Sequence, residues 1–206
     1  MEVFVKTIYG TSFSNCHIIE SGNSIALVDA PALSQELLNY LKGKEEMVEY
    51  ILLTHDHFDH IIGLEDMLKI LPNAKVVVHP LDASGLSNST YSLSNLASVP
   101  QPNVTPDILV SNGQILTFGN TSIEVLHTSG HTDGSICYIV EDNIFSGDTL
   151  FEGTCGRTDF VTGSYEEILR SLKTLATYPK HYKVFAGHGG ATTIENELKF
   201  NPYLQL

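Results

Sequence analysis

Apolar residues recur along this chain with two different periods, and the switches between them mark the elements. Residues 3–7, 16–19 and 25–28 are short runs of β-type residues separated by Gly10, Asn15 and the Gly22-Asn23 pair, which reads as three strands with turns between them. Leu33, Leu37, Leu38 and Leu41 share one face at helical spacing, so residues 33–41 predict a helix. Residues 48–53 form an apolar run of strand length that stops abruptly at a cluster of histidines. Residues 61–71 predict a second helix, ended by Pro72, and 75–79 a buried strand, ended by Pro80. The stretch 81–106 is rich in Ser, Asn and Pro. A segment this long within a compact fold points to a functional or partly helical loop, and it is the best lid candidate. Strands are expected again at 115–118, 122–127, 135–140 and 143–146. A helix starts at Ser164, where Ser164-x-x-Glu167 fits a capping box; a strand covers 183–186, and Thr192-x-x-Glu195 predicts the cap of a last helix. Each half runs from strands into a His-bearing loop and then a helix. That order suggests two sheets with helices outside, not a plain parallel sheet.

Bulk properties narrow the partners. The 206 residues are 42% hydrophobic, enough for one large folded unit over 1–206, and carry a formal net charge of −13. Nucleic acid and anionic membranes attract clustered Lys and Arg, and the eleven basic residues here form no cluster, so neither is an expected partner. Cys16, Cys137 and Cys155 are an odd, widely spaced set and do not read as a disulfide framework. Cys16 and Cys137 read as packed thiols in strands, while Cys155 sits in a glycine-rich loop. Residues 1–6 alternate like a strand and lack the apolar centre of a signal peptide, and no apolar stretch reaches membrane-spanning length. These features give a soluble protein of the cytoplasm as the expectation. Oligomeric state is not legible.

The chemistry lies in four segments with one grammar, a hydrophobic strand followed at once by metal-ligand residues. Residues 51–53 lead into Thr54-His55-Asp56-His57-Phe58-Asp59-His60. Residues 123–126 lead, past His127, into Gly130-His131-Thr132. Residues 144–146 lead into Gly147-Asp148, and residues 184–186 into Gly187-His188-Gly189. Neutral imidazole with carboxylate suits zinc, and also iron or manganese. A lone His-x-His would mean little; His-x-His-x-Asp-His behind a buried strand, with three further His or Asp turns downstream, makes a metal site the expected reading. A non-enzymatic binding module would predict a broken ligand set, and all seven positions are filled.

With these motifs, and with Ser146-Gly147-Asp148-Thr149-Leu150-Phe151, the chain resembles the metallo-β-lactamase superfamily, most closely its glyoxalase II-like branch, the hydroxyacylglutathione hydrolases. The resemblance implies an α/β fold of four layers, an αββα sandwich of two mixed sheets flanked by helices. It implies two divalent metal ions, zinc first, with His55, His57 and His131 on one, Asp59, His60 and His188 on the other, and Asp148 bridging both. A metal-bridging hydroxide, held with Asp59 and Asp148, would then attack a small-molecule thioester. Asp148 argues against a true β-lactamase, in which Cys is usual at that point. Two departures stand out. The glyoxalase II C-terminal helical domain that grips glutathione has no counterpart, and Cys155-Gly156-Arg157-Thr158-Asp159 replaces a Lys and Tyr that touch glutathione, so Arg157 is the candidate for a substrate carboxylate. The alternatives are a persulfide dioxygenase with one iron on His55, His131 and Asp148, and a lactonase.

The remaining polar residues divide by role. Asp29, at a strand end before Pro31, is either a residue that orients a liganding His or a turn residue. Asp56 shapes the ligand loop. His127 is expected to bond backbone; His79 could face the cleft; His17 and His181 read as structural. For Arg157 the competing role is an ion pair with Asp159 or Asp148.

Overall fold

The computed structural model describes residues 3–10 and 13–205. Met1 and Glu2, where the expected alternation begins, lie outside them. The first sheet pairs its strands in chain order: β1 (Phe4–Ile8), β2 (Cys16–Ser21), β3 (Ser24–Val28), β4 (Val48–Leu52), β5 (Lys75–Val78) and β6 (Ile108–Leu109). β1–β3 are antiparallel neighbours and β3–β6 parallel ones. β7 (Ile115–Phe118), β8 (Thr121–His127), β9 (Ile136–Val140) and β10 (Asn143–Gly147) form an antiparallel meander that opens the second sheet. A small hairpin follows, β11 (Leu150–Phe151) with β12 (Thr154–Cys155). Then β13 (Lys183–Ala186) adds parallel to β10, and β14 (Thr192–Thr193) closes the edge.

The pleat decides the layers. Along β3, Ile25 and Leu27 point to one face and Ala26 and Val28 to the other; along β9, Ile136, Tyr138 and Val140 oppose Cys137 and Ile139. Ala26, Val28, Leu52 and Val77 of the first sheet meet Phe118, Val125, Tyr138 and Phe145 of the second in one cluster, so the sheets pack face to face. The first sheet's outer face packs on α1 (Gln35–Leu41) and, beyond the short α2 (Phe58–Ile61), on α3 (Leu64–Ile70). The segment after β5 carries α4 (Ser94–Ala97). The second sheet's outer face packs on α5 (Tyr165–Leu175) and α6 (Ile194–Phe200). These are the four layers expected from the sequence, and no helix among the described residues is long and apolar enough to cross a membrane.

Two local expectations are corrected, and the partly helical reading of 81–106 holds. The helix expected over 61–71 begins only at Leu64, after the separate α2, because Gly63 N–H bonds to the Ala30 carbonyl and the Asp59 and His60 carbonyls accept from Ser14 and Ala30 instead of continuing the helix. The last helix is capped by Thr193, which accepts from the Asn196 N–H; Thr192 instead donates to Glu197 at 2.6 Å. The 81–106 segment holds a 3-10 turn (Ala83–Leu86) and α4, and is tied down by Phe58 N–H to the Ser92 carbonyl at 2.7 Å and Gln101 Nε2 to the Gly85 carbonyl at 2.9 Å. Ser164 caps α5 as expected, accepting from Glu167 N–H, and Ile168, Leu172 and Leu175 bury that helix's apolar face.

His17 joins the sheets. It lies on β2, yet its Nε2 sits 3.0 Å from the Ala186 carbonyl at the end of β13, its Nδ1 is 2.9 Å from Thr7 Oγ1, and its ring lies against Phe145 and Phe185. Burial pushes its pKa down from 6.5 to about 4. The folded state therefore binds this proton less readily than the unfolded chain. Stability should be full above pH 6.5 and fall as pH drops toward 4, by roughly 1.4 kcal/mol per pH unit from this group. Urea unfolding of wild type and His17→Gln from pH 7.5 to about 4.5 should show the variant with the shallower loss; identical slopes would remove His17 as the cause.

Candidate metal centre

The four motif segments leave the ends of β4, β8, β10 and β13, and the face-to-face packing brings these ends to one edge of the molecule. The loop after β4 supplies His55 and His57; α2 starts directly after them and presents Asp59 and His60. The β8–β9 turn supplies His131, and the loops after β10 and β13 supply Asp148 and His188. All seven converge. His55 lies 4.1 Å from His60 and 4.7 Å from His131, His57 lies 4.5 Å from His131, and His60 lies 5.3 Å from His188, between ring centroids. His188 Nε2 is 3.0 Å from Asp59 Oδ2. Asp148 stands between the groups, Oδ1 3.3 Å from His60 Nε2 and Oδ2 3.6 Å from both His131 Nε2 and His188 Nε2. Donor atoms of three overlapping trios, His55/His57/His131, His55/His60/Asp148 and Asp59/His60/His188, lie within 4.8 Å of one another.

The inner donors want a cation. The Nε2 atoms of His55, His57, His60 and His131, and Asp148 Oδ1, are buried without a hydrogen-bond partner. Orphaned buried acceptors are costly and rare in folded proteins, and five at one point fit a divalent metal. The ring orientations agree. His131 Nδ1–H donates to the Arg157 carbonyl at 2.8 Å and His60 Nδ1–H to Asp29 Oδ2 at 2.8 Å. Thr54 Oγ1 donates to Asp29 and lies 3.1 Å from His55 Nδ1, from which it accepts. In each of these three rings the proton is fixed on Nδ1, and the Nε2 lone pair faces the cluster.

Electrostatics point the same way. Burial, followed by the neighbouring imidazoles, holds His55 well below its ordinary range; burial drives His57 down to about 3 and lowers His131. These rings are neutral at pH 7, the form in which an imidazole can bind a metal. Burial opposes charge on His60, but Asp29, Asp148 and Asp59 outweigh it and raise its pKa. Burial likewise opposes charge on Asp148 and Asp59, and the surrounding histidines outweigh it, so both stay ionised. The chain has gathered negative charge and imidazole lone pairs around a point that a metal cation would occupy.

Several side chains hold this arrangement. Asp29, fully buried at φ 64°, accepts from Thr54 N–H at 2.8 Å, from Thr54 Oγ1 and from His60, which settles its role as an orienting residue. Asn15 spans to the far sheet, donating to the Ala186 and Gly189 carbonyls on either side of His188. At Gly187 a Cβ would stand 2.3 Å from Asp148 Oδ1, so only glycine lets the backbone pass this close. Asp56 points away from the centre, buried beside Asp82; burial first, then Asp82, raises its pKa. Asp82 accepts from Thr132 Oγ1 at 2.7 Å and from Gly134 N–H at 2.8 Å, and so ties the His131 turn to the His55/His57 loop.

The remaining candidates lie elsewhere. His127 donates from Nε2–H to the Asp133 carbonyl at 2.8 Å, and its ring stacks on His79 at 4.2 Å, so the two histidines pair with each other. His181 lies edge-on to Tyr182 on the surface. Arg157 lines the cleft, but its guanidinium is engaged in two 2.7 Å hydrogen bonds to Asp159 and lies over the Phe160 ring. Cys155 packs half-buried on β12, its thiol pushed up to about 11 by burial. Sequence reasoning missed Thr54, Asp82 and Asn15, ordinary polar residues whose partners are distant in sequence. It also missed the apolar cleft wall of Leu93, Leu96 and Ala97, which lies in the stretch that reads as polar.

A family model described as the metallo-beta-lactamase superfamily matches residues 9–188, which takes in every motif above. The chain belongs to that superfamily. Within it, the chain is 31% identical over 208 aligned residues to a probable metallo-hydrolase of Streptococcus pyogenes, covering 96% of this chain and 88% of that protein. It is 33% identical over 171 residues to the hydroxyacylglutathione hydrolase of Shewanella halifaxensis, covering 82% of this chain but 58% of that protein's length. Two solved superfamily structures superpose over 98% of this chain and 100% of their own. One is the BLEG-1 B3 metallo-beta-lactamase, with a TM-score of 0.90 and 31% identity; the other is TTHA1623 in a di-iron-bound form, with a TM-score of 0.85 and 30% identity.

Proposed function

We propose that this chain is a dinuclear metal-dependent hydrolase that cleaves thioesters in the manner of the hydroxyacylglutathione hydrolases. His55, His57 and His131 would hold one ion, Asp59, His60 and His188 the other, and Asp148 both. The observation that carries this is the set of five orphaned buried acceptors, flanked by a complete second trio of Asp59, His60 and His188. A persulfide dioxygenase with one iron would leave that second trio without a task. Similarity to a hydroxyacylglutathione hydrolase supports the thioester, and similarity to a di-iron-bound structure supports two ions and puts iron beside zinc as the native metal.

Divalent cations at this point supply a water activated at neutral pH and polarise the substrate carbonyl. The chain's own part is to place them. Asp29 and the Arg157 carbonyl fix the tautomers of His60 and His131, and apolar side chains line much of a cleft of about 530 Å³ beside them. Attack by the water oxygen on the carbonyl carbon and loss of the C–S bond leave a carboxylate and a thiolate. The thiolate is a good leaving group, which agrees with a cleft whose lining offers no general acid beyond the proposed ligands and Arg157.

Purified protein with measured metal content should carry two ions per chain and hydrolyse thioesters. Exhaustive chelation should abolish the activity, and zinc, iron or manganese should restore it. Full activity after chelation overturns the proposal. One iron per chain with oxygen uptake on glutathione persulfide would replace it with the dioxygenase.

A further inference from the structure

The cleft beside the metal centre is walled by Leu93, Leu96 and Ala97 from the segment after β5, with Phe58, Phe151 and Phe160 completing the lining. Leu96 is 71% exposed, the highest value among the large apolar side chains of the described residues, and it stands with Leu93, Ala97 and three phenylalanines in one lining. The turn that presents it is held under strain. Leu93 (φ 63°) and Ser98 (φ 55°) bracket α4, and both adopt the left-handed conformation that non-glycine residues rarely take. Buried hydrogen bonds enforce it: Ser92 and Ser94 hydroxyls both donate to Gln101 Oε1, the second at 2.7 Å, and Gln101 is anchored to Gly85.

Charge in the cleft excludes one kind of ligand. Among the described lining residues, apart from the histidines of the metal centre, Arg157 is the one cation, and Asp159 neutralises it through both carboxylate oxygens. A thiol carrier with several carboxylates, such as glutathione, meets no free positive charge here.

Resting on the hydrolytic reading above, the geometry points to a favoured substrate whose acyl chain is apolar and uncharged and lies on the Leu93–Leu96–Ala97 wall; Leu96 sets the preference. The experiment uses the full zinc-loaded chain, with thioesters of a small neutral thiol from acetyl to octanoyl, and the matching alkanehydroxamates as metal-chelating probes that need no turnover. Each added methylene should raise kcat/KM, and tighten hydroxamate binding by calorimetry, about fourfold until the cleft is filled. S-lactoylglutathione should be a poorer substrate than the hexanoyl thioester. Leu96→Glu, a change at an exposed position, should flatten both series. If no thioester is cleaved but hydroxamate affinity still climbs with chain length, the hydrolytic reading fails and the apolar wall stands. If affinity is flat with chain length, or Leu96→Glu leaves the slope unchanged, the wall is not a substrate site.

Discussion

Replacing Asp148 with alanine is expected to remove at least one of two metal ions and to lower thioester hydrolysis by about a thousandfold or more. The magnitude follows from its position. Asp148 is the carboxylate within 3.6 Å of His60, His131 and His188 together, and it links two trios of donors that otherwise touch only through His55 and His60. Without it, two cations a few ångströms apart lose the negative charge that offsets their repulsion. The measurements are metal content by elemental analysis and kcat at saturating zinc. A variant with two ions per chain and undiminished kcat would contradict the assignment. Circular dichroism on the same samples separates this outcome from unfolding.

Asp29→Asn should act differently, weakening metal binding by roughly 10- to 100-fold while leaving kcat near the wild-type value once zinc is saturating. Asp29 touches no reacting atom. It holds the Nδ1 proton of His60 and both donors of Thr54, and Thr54 in turn orients His55. Asparagine suits the left-handed backbone at this position nearly as well as aspartate, so the substitution tests charge and not strain. Titration against a chelator-buffered zinc series reads the shift. An unchanged affinity would reduce Asp29 to a turn residue.

Much of this was legible in the chain. The strand runs were readable because a buried strand ends where a polar ligand begins, and β7 and β13 fall where the pattern places them. The seven proposed ligands were readable because no ordinary core needs three imidazoles within six residues. Features set by contacts between distant segments were not. The helix is interrupted at Gly63 because its N–H bonds to the Ala30 carbonyl, and Thr193 caps where Thr192 looks equally suited, because Glu197 takes the Thr192 hydroxyl. The two-residue strands β6, β11, β12 and β14 carry too few positions to show a period. Arg157 read either as the holder of a substrate carboxylate or as the partner of Asp159 or Asp148, because sequence alone does not say which way an exposed side chain turns; the structure pairs it with Asp159.

On the proposed assignment, His55, His57, Asp59 and His60 come from the loop leaving the first sheet, and His131, Asp148 and His188 from loops leaving the second. Each ion is then a rivet between halves of the polypeptide, added to the polar links that His17, Asn15 and Asp82 already make across them. Whatever binds only the native form deepens its free-energy well in proportion to the logarithm of its free concentration. The supply of metal in the cell would thereby govern how long each copy escapes degradation as well as how fast it turns over.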